Sequence, residues 1–118
     1  MIEIVKPTIL DCEQMKTLID KFVKTHVVLP RPIEDIAERI REFYIAKDGP
    51  KVIATSSLRI FYPNLAEIRT ITIDENYQKQ GLGRKLIDKE LEEAKALGIT
   101  RVFALTTQVD FFKKMGFT

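Results

Sequence analysis

The sequence predicts an α/β (α+β) fold in which a mixed central sheet carries helices on both faces. Two observations support this fold class. Strand-like apolar runs alternate with segments of helical apolar spacing, and glycines or prolines separate them. The predicted order of elements is β-α-α-β-β-β-α-β-α. At 118 residues, residues 1–118 are expected to form one domain, because the chain is large enough for one core but not for two.

The first half of the chain predicts a strand, two helices and a hairpin. Ile2–Val5 is rich in β-branched residues, as strands are. The next segment has the apolar stripe of a helix, formed by Cys12, Met15, Leu18, Ile19, Phe22 and Val23. A shorter helix is indicated by Ile33, Ile36, Ala37 and Ile40. Asp48-Gly49-Pro50 is typical of a hairpin turn, so it is expected to join antiparallel strands at Phe43–Lys47 and Val52–Phe61.

The second half is organised around a strand, a glycine loop and a helix. The strand Glu67–Ile73 is followed by Gly81 and Gly83, and a helix is predicted from Leu82 to Leu97. The free N–H groups of the helix's first turn, at the positive end of its dipole, can bind an anion such as a pyrophosphate. A short strand, Val102–Leu105, and a helix, Asp110–Met115, are predicted to follow.

Several function classes are excluded by composition and motifs. A net charge of +2 with interspersed signs does not indicate a nucleic-acid partner, and the short apolar runs do not indicate a membrane partner. One cysteine cannot form an intramolecular disulfide, and the N terminus does not resemble a signal peptide, so a cytoplasmic location is expected. The glycine loop lacks both the Gly-Lys-Ser/Thr ending of a P-loop and the GxGxxG spacing. The glycines alone leave a purely structural turn open.

Gln78-x-x-Gly81-x-Gly83, with a strand before it and a helix after it, resembles the signature of the GNAT acetyltransferase superfamily. The resemblance implies acetyl-CoA as cosubstrate, with its pyrophosphate on the loop amides and its pantetheine arm along the central strand. The positions implied for cofactor binding are Ile71, Thr72, Ile73, Gln78, Lys79, Gln80, Gly81, Leu82, Gly83 and Arg84. It also implies that Glu67 is the catalytic base that removes a proton from the acceptor amine.

Three further segments resemble the transferase domain of the bacterial N-acetylglutamate synthases. They are Leu29-Pro30-Arg31, Phe103–Gln108 and Phe111–Phe117. This likeness implies acetylation of the α-amine of a small amino acid, most simply glutamate, as the first step of arginine biosynthesis. By match, Arg31 and Arg59 would hold the α-carboxylate, which a guanidinium binds in a bidentate manner. No metal is implied.

The sequence departs from these patterns at three places. Phe112 stands where most GNAT enzymes have a tyrosine that protonates the leaving thiolate, although the synthases share this phenylalanine. Gln108 stands where family members have an arginine for the side-chain carboxylate, so glutamine or another amino acid stays open as substrate. The superfamily's last strand, after Gly116-Phe117, is missing. That strand is either trimmed or supplied by another chain, as in a homodimer.

Two other functions stay open at this stage. The chain could acetylate a protein N terminus or lysine, in which case Arg31 and Arg59 would be incidental. It could also be a CoA-binding module without turnover. Among residues outside the motif, Cys12 lies on an apolar stripe and is interpreted as a core residue. His26, the only histidine, is interpreted as an exposed or capping residue rather than a base.

Overall fold

The centre of the protein is a five-stranded mixed sheet, seen in a computed structural model that describes residues 1–25, 28–105, 109–114 and 116–117. Neighbouring strands are antiparallel, except that the last pair is parallel. In spatial order the strands are β1 (Ile2–Val5), β2 (Phe43–Asp48), β3 (Lys51–Phe61), β4 (Leu65–Ile73) and β5 (Val102–Phe103). This architecture confirms the predicted fold class.

Helices cover both faces of the sheet. The helices are α1 (Cys12–Lys24), α2 (Ile33–Glu38), α3 (Leu82–Ala96) and α4 (Val109–Lys114), and the order of all elements agrees with the prediction. One core cluster joins α1 and α2 to β2 through Met15, Ile36 and Phe43. On the other face, Ile87 of α3 and Phe112 of α4 belong to a cluster with Ile68 of β4. Within the described ranges, no helix combines the length and apolar character needed to cross a bilayer.

A capped 3-10 turn, Ile9–Asp11, leads directly into α1, which has no side-chain cap of its own. Thr8 and Asp11 form a capping box, in which the Thr8 N–H donates to Asp11 Oδ2 at 2.8 Å and the Thr8 hydroxyl accepts from the Leu10 N–H. The next residue, Cys12, is buried in the core, as predicted. Burial, followed by the negative charge of Asp11, raises the pKa of its thiol. His26 lies outside the described residues.

Several predicted boundaries differ from the observed ones by one or two residues, and two of these differences have a clear physical cause. The second helix does not reach Ile40, because it ends at Glu38 and a separate 3-10 turn spans Ile40–Glu42. The chain must leave the helix there so that Phe43, which is fully buried, can begin β2. The fifth strand ends at Phe103 rather than Leu105, because it pairs with β4 at only two positions.

Candidate active site

The glycine loop connects the end of β4 to the first turn of α3. Gly81 caps the helix with φ +78°, a left-handed conformation that glycine adopts without strain. A Cβ at this position would meet no atom within 4 Å, so the backbone conformation rather than space requires glycine. The first helical hydrogen bond runs from the Lys85 N–H to the Gly81 carbonyl at 3.1 Å.

That arrangement leaves the N terminus of α3 available to an anion. Within the described part of the chain, the N–H groups of Leu82, Gly83 and Arg84 have no acceptor, and no side chain caps the helix. The exposed side chains of Lys79, Gln80 and Arg84 surround this turn. Gln78, in contrast, donates its amide to the Ile73 carbonyl at 3.0 Å and closes the loop onto β4.

The end of β4 is open on the side of β5. The two strands pair only at Ala66–Val102 and Glu67–Phe103, so residues 68–73 have no partner strand on that side among the described residues. Unpaired backbone groups of an edge can hydrogen-bond an extended ligand as another strand would. The Thr72 hydroxyl is committed to the Thr55 hydroxyl, 2.7 Å away in the interior. Thr72 therefore offers only its backbone to a ligand.

A β-bulge bends β4 within this open stretch. Thr55 pairs with Thr72 and Ser57 with Arg69, so two residues of β4 oppose the single residue between them on β3. One of the two, Thr70, has φ +54°, which is rare for a β-branched residue. Its carbonyl accepts from the Thr55 hydroxyl at 2.8 Å, and this contact stabilises the conformation. Such strain is typical of functional sites.

Arg31 reaches the bulge from the loop before α2. Its side chain is only 6% exposed and lies over the Phe43 ring, with Cζ 4.8 Å from the ring centroid. Nε pairs with Asp35 at 2.7 Å, and Nη1 donates to the Thr70 hydroxyl at 3.1 Å. Burial alone would raise the pKa of Asp35, but the hydrogen bonds and charges of Arg31 and Arg39 outweigh it and lower that pKa.

Arg59 lies on β3 directly opposite Glu67 of β4. Burial, and then the charges of Arg69 and Arg39, lowers the pKa of its guanidinium. Its Nε is buried and has no hydrogen-bond partner among the described residues, and the same is true of Arg31 Nη2. An unsatisfied buried donor is costly. Both arginines predicted to hold a carboxylate thus retain an unused buried donor that a bound anion could satisfy.

Glu67 lies on the same face of the sheet as Arg59 and Arg69, and Arg31 also contacts this face; we call it the basic face. Its side chain is 13% exposed, and Oε1 lies 3.6 Å from Nε of Arg69, which is two residues further along the same face of β4. The sequence analysis did not identify Arg69 or the bulge at Thr70. The period-two spacing from Glu67 could have indicated Arg69, whereas no sequence signal predicts left-handed backbone at a threonine.

Gln108 and Phe112 are the two residues at which the sequence departs from the family pattern. Gln108, predicted to contact the substrate side chain, lies outside the described residues. Phe112 is buried and packs edge-to-face on Phe117, with ring centroids 5.3 Å apart. Its surroundings are those of a core residue.

Comparison with known proteins identifies the family. The sequence model of the acetyltransferase (GNAT) family matches residues 12–117. An uncharacterized N-acetyltransferase of Chlorobaculum tepidum is 31% identical over 107 residues, which are 91% of this chain and 69% of that protein. An amino-acid acetyltransferase of Mycobacterium tuberculosis is 31% identical over 111 residues, and this chain spans 63% of its length.

Solved structures show the same architecture. Rv2747 of Mycobacterium tuberculosis, crystallised in complex with CoA, superposes with a TM-score of 0.93 and 28% identity, covering 98% of this chain and 71% of that one. N-acetylglutamate synthase from Neisseria gonorrhoeae, complexed with coenzyme A and N-acetyl-glutamate, superposes with a TM-score of 0.92. At 24% identity, with 97% of this chain and 27% of that one covered, the second match concerns the fold. The chain belongs to the GNAT family of acetyltransferases, in which acetyl-CoA is the acetyl donor.

Proposed function

We propose that this chain transfers an acetyl group from acetyl-CoA to the α-amine of a free amino acid. Glutamate is the first candidate acceptor, and the reaction would then open arginine biosynthesis. The observation that carries the proposal is the basic face beside Glu67. There, Arg31 Nη2 and Arg59 Nε are buried and have no partner in the described part of the chain, and Arg59 faces the partly exposed carboxylate of Glu67. An α-amino acid has the matching pair of groups, a carboxylate and an amine.

Each part of the site has a separate role in this proposal. The free amides at the start of α3 would hold the diphosphate, and the open edge of β4 would hold the pantetheine arm. Arg31 and Arg59 would bind the α-carboxylate of the acceptor. An amine is mostly protonated at neutral pH, so Glu67 would remove its proton, directly or through a water. A β4 amide near the bulge would polarise the thioester carbonyl, and one such donor is typically worth ~10²–10³ in rate.

The identity of the acceptor depends on the residue that binds the end of its side chain. Gln108 is a neutral amide where the resemblance expects an arginine, and an amide can pair with another amide as well as with a carboxylate. Glutamine is therefore the second candidate acceptor.

A thiol-release assay tests the proposal directly. Purified protein is given acetyl-CoA with glutamate, glutamine, aspartate or a peptide with a free N terminus, and a reaction without acceptor is the control. We expect release with glutamate or glutamine above the control. Release with the peptide alone would replace the proposal with a peptide acetyltransferase. Tight CoA binding without release for any acceptor would indicate a module without turnover.

A further inference from the structure

Glu67 has two guanidinium groups as neighbours but pairs with only one of them. Arg59 faces it across the β3–β4 ladder, and Arg69 follows it on β4. The ion pair is with Arg69, at 3.6 Å between Nε and Oε1. Among the described residues, Arg59 makes no ion pair. Arg59 would gain more than Arg69 from an ion pair with Glu67, because the buried Nε of Arg59 has no hydrogen-bond partner among the described residues.

Arg59 is within reach of Glu67. Directly opposed side chains in an antiparallel pair have Cβ atoms about 4.5–5.5 Å apart, which allows an arginine and a glutamate to meet. An ion pair between Glu67 and Arg59 would satisfy the buried Nε of Arg59, but it would also occupy the group proposed to bind the acceptor. The carboxylate must therefore be held elsewhere for the site to accept a substrate.

The other acidic groups near this face, Asp35 and Glu42, already contact arginines. Asp35 contacts both Arg31 and Arg39, at 2.7 and 3.2 Å. Glu42 is also within electrostatic range of Arg59; its Oε2 accepts from Arg39 at 2.9 Å, whereas its Oε1 is buried and has no hydrogen-bond partner among the described residues. Glu67 is the acidic residue that the β3–β4 register places directly opposite Arg59, so it competes for Arg59 together with Glu42.

We propose that Arg69 is a positioning residue that binds Glu67 and so keeps Arg59 free for the carboxylate of the acceptor. The inference rests on the proposed function, because it assigns Arg59 to the acceptor and Glu67 to the amine. Arg69 itself touches neither substrate. Without it, Glu67 turns to Arg59, and the protein blocks its own substrate site with an internal ion pair.

A double-mutant cycle tests this role. The dissociation constants of glutamate and glutamine are measured by calorimetry, at saturating CoA, for the wild type, Arg69→Gln, Glu67→Gln and the double variant. We expect Arg69→Gln to weaken amino-acid binding about tenfold when Glu67 is present, and by less than twofold in the Glu67→Gln background, where the Glu67 carboxylate no longer competes. Arg69→Lys should restore most of the affinity, and the affinity for CoA should be the same in all variants.

The alternative outcomes have distinct meanings. Equal weakening in both backgrounds would overturn the inference, because Arg69 would then contact the acceptor itself. No weakening in either background would overturn it as well. If the wild type binds CoA but neither glutamate nor glutamine, the proposed acceptor class fails, and the inference fails with it. Retained CoA affinity shows that a variant is folded.

Discussion

Glu67 illustrates how neighbouring side chains can prepare one residue for proton transfer. It lies at the second position of the β4–β5 ladder, where the two strands are still paired. The strand backbone therefore fixes its Cα, and the contact with Arg69 restricts its carboxylate. The side chain is 13% exposed, so a substrate amine or a bridging water can still reach it.

Replacing Glu67 tests the proton-transfer role. Glu67→Gln keeps the size of the side chain but cannot accept a proton, and we expect kcat to fall ~10²–10⁴-fold near neutral pH. The loss should shrink at high pH, where free amine is abundant without a base. The measurement is kcat from thiol release between pH 6.5 and 9.5. A loss of the same size at every pH would contradict a role as base.

The arginines show what could be predicted at single positions. Arg31 and Arg59 were identified by resemblance, and the structure places them on the face that carries Glu67, although their role in binding stays a prediction. Period-two spacing places Arg69 on the same face as Glu67, but the role proposed for Arg69 depends on the register that sets Arg59 opposite Glu67, which the sequence does not give. The positive φ of Thr70 was missed for a related reason. It follows from the register between β3 and β4, which is a tertiary property.

At the scale of elements, α3 combines two functions in one helix. Its first turn offers unbonded amides to an anion, and its buried side packs Leu86 and Ile87 against the sheet. The left-handed conformation at Gly81 sets the direction in which the helix begins. Helix position and anion site therefore depend on the same residue.

Two glycines that flank α3 provide a matched test. Gly81→Ala places a side chain at φ +78°, which costs ~1–2 kcal/mol in strain and shifts the amides at the start of the helix. Gly98→Ala adds similar strain at φ +86°, beyond the other end of α3, and neither Cβ would meet an atom within 4 Å. We expect CoA affinity, measured by calorimetry, to fall at least tenfold in Gly81→Ala only. Equal losses in both variants would mean that general destabilisation is the cause.

The order of elements was predictable from the sequence because its signals are local. The apolar stripe of α1, the Asp48-Gly49 turn and the paired glycines each determine structure within a few residues. The exact extents of α2 and β5 were not predictable. They depend on the burial of Phe43 and on where β4 and β5 stop pairing, and both are settled by contacts distant in sequence.

At the scale of the whole molecule, a buried carboxyl group influences stability. Glu90 of α3 is fully buried against the sheet, and its Oε2 accepts from the Ser56 hydroxyl at 3.2 Å. Burial raises the pKa of Glu90 to about 8, although the Lys6 charge and the Ser56 hydrogen bond oppose this shift. The sequence signal was present but not used, since Glu90 lies between Ile87 and Ala94 on the apolar stripe.

The raised pKa predicts a specific pH dependence of unfolding. Between pH 4.5, the ordinary value, and about 8, the folded state binds one more proton than the unfolded state. The contribution of this proton to the free energy of unfolding is complete below pH 4.5. It declines by ~1.4 kcal/mol per pH unit between pH 4.5 and about 8, and it is gone once the pH passes 8. Glu90→Gln carries no ionisable group and should remove this slope.

Urea unfolding from pH 5 to 9 measures the effect. Relative to the wild type, the free energy of unfolding of Glu90→Gln should rise from pH 5 to about 8 and then level off, whatever the difference between the two proteins at pH 5. Glu92→Gln, at a side chain that is 71% exposed, is the control and should follow the wild-type slope. Parallel curves for Glu90→Gln and the wild type would show that Glu90 does not titrate as described.

The separation of β4 from β5 after Glu67 has a consequence for the thermodynamics of ligand capture. Except at the bulge of Thr70 and Ile71, residues 68–73 pair with β3 on one side, so their backbone conformational entropy is already lost when the protein folds. An elongated molecule that docks along them need not order the protein backbone first. Because of this preorganisation, more of the free energy of each hydrogen bond contributes to the affinity for the ligand.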